Sequence, residues 1–130
     1  MFSDIAQKVG LALIVQFGST IKGVAGPMSD VDVLVQGNRE LSLREEAELR
    51  AALAAALNAP EDRIDLVFLY RASPLLAHEA LWNGRLLWGD LETLHAHQIR
   101  VWKRFQEDKK FARRRRAFIN ATLGQPAPAL

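Results

Sequence analysis

Two aspartates stand one residue apart in "SDVDVLV", residues 29–35, a segment otherwise as apolar as a buried strand. Along an extended chain Asp30, Asp32 and Leu34 share one face, and Val31, Val33 and Val35 share the other. The two carboxylates then lie about 7 Å apart by strand rise. Both can reach one divalent cation or bridge two, and hard oxygen ligands of this kind suit Mg²⁺, which keeps substrate phosphate in its shell. A pair of turn acids at a strand entrance is the plainer alternative. A third aspartate, Asp65, interrupts "RIDLVFL", where every neighbour beyond Arg63 is apolar. If that strand pairs beside the first, Asp65 joins Asp30 and Asp32, and three like charges require a counter-ion. Otherwise Arg63, two residues away on the same face, is its partner.

Upstream, "LALIVQF" runs into Gly18-Ser19. Where a strand feeds a helix, backbone N–H groups are unpaired and bind phosphate well. Gly18 presents no side chain to hold a phosphate off, and the Ser19 hydroxyl adds a donor or simply caps the helix.

The elements that must position these groups are legible in order. Ser3 caps a helix over 3–9, ended by Gly10. Residues 11–17 form a buried strand. A short helical segment and a Gly/Pro loop follow, then a strand over 30–36. Ser42 and Glu45 form a capping box at the head of a helix over 42–58. Its apolar stripe is Leu43, Ala47, Leu49, Leu53, Ala54 and Leu57. Residues 63–69 form a third strand. Ser73 caps a helix with Pro74 at its first position, which stops at Gly84. Residues 85–88 form a fourth strand, and from Asp90 to about Leu123 the pattern is helical, as one helix or a broken one. This alternation predicts an α/β or α+β sheet covered by helices. A single domain over 1–123 is expected, with 124–130 a disordered tail.

The pattern of Gly18-Ser19, then ten residues, then Asp-x-Asp, then a third aspartate in a β-like run resembles the minimal nucleotidyltransferases of the DNA polymerase β superfamily. The segment "IDLVFLYRASPLLAHEALWNGRLLWGD", 64–90, is similar to the stand-alone MNT proteins, the antitoxins encoded beside HEPN-domain toxins. The resemblance covers roughly residues 10–90. It implies the polymerase-β-like fold, a small mixed sheet of about four strands with flanking helices. It implies that Gly18 and Ser19 hold the β- and γ-phosphates of the nucleotide; Lys22 keeps one positive charge of the family's loop, which could contact the triphosphate, or is an exposed loop lysine. It implies that Asp30 and Asp32 bind two Mg²⁺ ions, and that Asp65 binds the catalytic ion and helps deprotonate the attacking hydroxyl. In that branch AMP passes from ATP to a tyrosine of the HEPN toxin. Many members read "GSRARG" where this chain reads "GSTIKG", so Thr20 stands in place of the first arginine.

Composition narrows the alternatives. The chain has 130 residues, no cysteine and a net charge of +2. Disulfide frameworks, thiolate zinc sites and cysteine catalysis are excluded. No run approaches a membrane span, and the start lacks a signal-peptide pattern, so a cytoplasmic protein is expected. Residues 100–116 hold nine Lys/Arg against two acids, an excess of +7, which leaves −5 on the remainder. This basic helix, with its Arg113–Arg116 run, either engages an anionic partner, nucleic acid included, or is a solvated face. His78, His95 and His97 have no metal-ligand spacing, and Trp82, Trp88 and Trp102 are expected in the core. The chain is too short for a separate acceptor domain. A hetero-oligomer with the toxin is therefore expected, with an apolar patch on the C-terminal helix. Masking of the toxin without catalysis, and transfer to a small-molecule or RNA hydroxyl, are the competing functions.

Overall fold

The computed structural model describes residues 2–18 and 30–122. In these residues the helices are α1 (Phe2–Lys8), α2 (Leu43–Leu57), α3 (Pro74–Asn83) and α4 (Leu91–Thr122). The strands are β1 (Leu11–Phe17), β2 (Val31–Gly37), β3 (Ile64–Phe68) and β4 (Arg85–Trp88). They form one mixed sheet in the order β3-β2-β1-β4, with β1 antiparallel to both β2 and β4 and β2 parallel to β3. The expected short helical segment after Gly18 and the tail over 124–130 lie outside the described residues.

The alternation of side chains builds two apolar layers. Val31, Val33 and Val35 face α1 and α2, packing with Ile5, Val9, Leu49 and Leu53. Leu34 faces the other way with Leu13, Val15 and Phe17, against Ala77, Ala80 and Leu81 of α3 and Val101 of α4. In β1 the parity switches: Leu11 lies with Ile14 on the first face, whereas Leu13 and Val15 lie on the second. The register shift between Leu11 and Leu13 accounts for this, because one extra residue in a bulge moves the chain by one face.

The helix ends are the ones their residues dictate. Ser42 accepts from the Glu45 backbone N–H at 3.1 Å, and the Glu45 carboxylate accepts from the Ser42 N–H at 2.9 Å. Asn58 closes α2 in the left-handed conformation at φ 54°. Ser73 caps α3 through the Leu76 N–H, and Asp90 caps α4 through the Thr93 N–H. α4 is a single continuous helix of 32 residues. α3 and α4 run antiparallel: the Gln98 side chain donates to the Leu81 carbonyl, and Phe105 stacks on His78.

Four expected core residues are on the surface: Leu43, Ala47, Trp82 and Trp102. Leu43 is 85% exposed and Ala47 is exposed as well, so the buried stripe of α2 starts at Leu49. Trp82 and Trp102 are 40% and 50% exposed, since α3 and α4 present their shared outer side, not their sheet side, at these positions. Trp88 packs against the α1/α2 layer, and its indole N–H donates to the Leu11 carbonyl.

Candidate active site

Parallel pairing of β2 and β3 sets Asp32 directly opposite Asp65. The two carboxyls are within hydrogen-bonding reach of each other. Partial burial, then Asp65, then Asp30, raise the Asp32 pKa above its ordinary value. Two ionised carboxylates do not stay in such contact cheaply, and a proton or a cation between them relieves it. Asp65 is exposed on β3, an edge strand. Asp30, just before β2, is exposed, and its Oδ1 lies 3.7 Å from Nη1 of Arg63. Arg63 thus meets Asp30, not Asp65. Nothing in the spacing distinguished these two choices, since the pairing of β2 with β3 is what brings residues 30 and 63 to the same end.

Gly18 ends β1 at the same corner, with φ at 86°, in the left-handed region that favours glycine. A Cβ at this position would run into the Asp32 carboxylate. The missing side chain therefore leaves room for an aspartate as well as for any ligand, a second role that the sequence alone did not indicate. Ser19, Thr20 and Lys22 lie outside the described residues.

The donor set suits a hard divalent cation: oxygen ligands only, negative charge concentrated on a half-buried carboxylate, and open solvent on the β3 side. Among the described residues, no three acidic or histidine side chains converge closely enough to enclose an ion. Asp32 and Asp65 meet, while Asp30 acts on Asp32 through its charge and turns toward Arg63. The cleft between the start of β1 and the end of β4 is a poorer candidate. Its one ionisable group, Asp90, is spent on capping α4.

A mixed four-stranded sheet with two opposed strand carboxylates beside a glycine at the end of β1 defines a nucleotidyl-transfer scaffold. The Polymerase beta, Nucleotidyltransferase family matches residues 3–93, and the chain belongs to that family. It is 32% identical over 103 residues to the protein adenylyltransferase MntA of Shewanella oneidensis, spanning 77% of this chain and 72% of the relative. Among solved structures it is similar to a chain of a toxin-antitoxin crystal structure with AMP-PNP. The identity there is 27% and the TM-score 0.68, over 94% of this chain and 95% of that one. It is also similar to a chain of the tri-AMPylated Shewanella oneidensis HEPN toxin in complex with MNT antitoxin. That likeness has 26% identity and a TM-score of 0.58, over 95% of this chain and 100% of that one. The minimal nucleotidyltransferase fold expected from the sequence is the fold observed.

Proposed function

We propose that this protein is an antitoxin that transfers AMP from ATP to a tyrosine of a HEPN-domain toxin in a Mg²⁺-dependent reaction. The observation that carries the reading is the opposed pair Asp32 and Asp65 at the corner where Gly18 ends β1. Its relatives include a protein adenylyltransferase and a complex with an AMPylated HEPN toxin.

Asp30 and Asp32 would hold two Mg²⁺ ions and Asp65 one of them. Bound Mg²⁺ supplies charge for the developing oxyanions and acidifies the attacking hydroxyl. Gly18, Ser19 and Lys22 hold the triphosphate, with the backbone at Gly18 open to close approach. Asp65, exposed on the sheet edge, receives the phenolic proton. The tyrosine oxygen then bonds to the α-phosphorus, the α–β bridging bond breaks, and pyrophosphate leaves. Arg63 holds Asp30 in place of a counter-ion until one arrives, so its guanidinium competes with loading.

The acceptor belongs to another molecule. The single tyrosine of this chain, Tyr70, lies in the 3-10 turn that follows β3 at its far end, about 14 Å along the chain from Asp65. No helix of the described residues is long and apolar enough to cross a membrane, which is compatible with a cytoplasmic toxin–antitoxin pair.

The test is incubation with labelled ATP, Mg²⁺ and the HEPN-domain product of the adjoining gene. Label on a partner tyrosine is expected, and none with a folded protein rejects the reading. A masking antitoxin is the second reading, favoured by the exposed apolar surface of α4. Asp30→Asn with Asp32→Asn separates them: neutralisation that survives at normal protein level supports masking.

A further inference from the structure

The apolar stripe that seats α4 on the body does not stop where the body stops. Val101 is buried, and Leu94 packs in the same layer. Phe105 is half-buried against His78. At seven-residue intervals beyond it the same line continues as Ala112 and Ile119, flanked by Phe111 and Phe118. Every described side chain from Glu107 to Ala121 is exposed, with Phe111 at 66%, Phe118 at 69% and Ile119 at 43%. The helix thus carries a face written for burial along about 22 Å of free arm.

Charge limits what can cover it. Residues 100–116 carry an excess of +7, and Arg113–Arg116 take up every direction around one turn. Two arms laid parallel bring arginines onto arginines, and laid antiparallel about Ala112 they bring arginines onto Lys109 and Lys110, so arm-to-arm pairing of copies is opposed. Phosphate recognition has no use for an apolar line at seven-residue spacing, whereas a groove between helices takes such a line as knobs.

We propose that this arm, from Phe105 to Ile119, is the docking surface for the acceptor protein, and that the acceptor presents a helical apolar groove with an acidic rim. The proposal rests on the function proposed above and names the surface by which the partner is held. The acid corner performs transfer, and the arm supplies the affinity that brings the tyrosine within reach.

The experiment uses the full chain and the HEPN-domain product of the adjoining gene. Binding is measured by calorimetry at two salt concentrations, beside fluorescent-ATP binding and a thermal melt. Phe111→Ser with Phe118→Ser and Ile119→Ser is expected to weaken binding about 100-fold or more, because anchors of this kind dominate interfaces. ATP binding and the melt should stay unchanged. Arg113→Glu with Arg115→Glu is expected to weaken binding at the lower salt concentration and flatten its salt dependence. Unchanged partner affinity in the triple variant overturns the proposal. So does a wild-type dimer that the triple variant abolishes, or poly(U) binding lost in the variants while partner affinity persists. Partner binding without any AMP transfer rejects the enzymatic reading but leaves the docking surface standing. Transfer at unchanged KM in the triple variant does the reverse.

Discussion

Two parts of the molecule hold groups where they are uncomfortable, and in opposite ways. At the corner of β1, β2 and β3, packed strands press the carboxyl of Asp32 against that of Asp65. Along the outer half of α4, phenylalanines and an isoleucine stand in water with no apolar neighbour to cover them. In the functions proposed above, a cation relieves the first and a protein relieves the second. The rigid layers beneath the acids are what make the first tension useful, since residues that could swing apart would bind a metal no better than surface acids do. The arm needs no such rigidity, because helix and stripe travel together.

The largest expected effect separates chemistry from stability at the corner. Asp32→Asn should lower single-turnover AMP transfer roughly 10³-fold, as loss of several kcal/mol of transition-state stabilisation requires. Next comes packing. Leu34→Ala, at a fully buried position, should cost about 3 kcal/mol in urea melts, whereas Phe118→Ala on the arm should change the isolated chain by less than about 0.5 kcal/mol. Equal losses would mean that the arm is packed in solution. Gly18→Ala should cost about 1–2 kcal/mol and reduce transfer, since left-handed backbone and the Asp32 carboxylate both oppose a Cβ.

The smallest effect has the most telling sign. A carboxyl whose folded pKa is raised contributes stability that is complete below its unfolded value and is lost as pH rises through the folded one. At neutral pH without divalent ions, Asp32 is therefore a burden, lightened by solvent at a half-exposed site. Asp32→Asn should raise the melting temperature by roughly 2 °C in chelator, and Mg²⁺ with ATP should stabilise the wild type alone. A fall in melting temperature in chelator would show the carboxyl to be structurally supported.

The sequence conveyed the elements closely because caps are local: Ser42 with Glu45, Ser73 with Pro74, and Gly10 each act within one turn. It also conveyed which faces of β2 are apolar. It did not convey strand direction, which depends on contacts between distant segments, nor therefore the meeting of Arg63 with Asp30. Trp82 and Trp102 depart from the expectation because aromatic rings favour the core on average, and an exposed apolar face looks like a core face until the neighbours of its helix are known. The spacing of Gly18, Asp32 and Asp65 marked the corner but not its fine arrangement. That Gly18 clears space for Asp32 depends on a turn whose φ no residue count reveals.

The parallel pairing of β2 with β3 has a kinetic consequence. β2 and β3 cannot close as a hairpin, so α2 has to cross over between them before residue 32 finds residue 65. During synthesis, the antiparallel meeting of β1 and β2 is available early, while the acidic pair waits for a long-range closure that is intrinsically slow. A nascent or truncated chain therefore presents no reactive centre, and competence arrives together with the finished sheet.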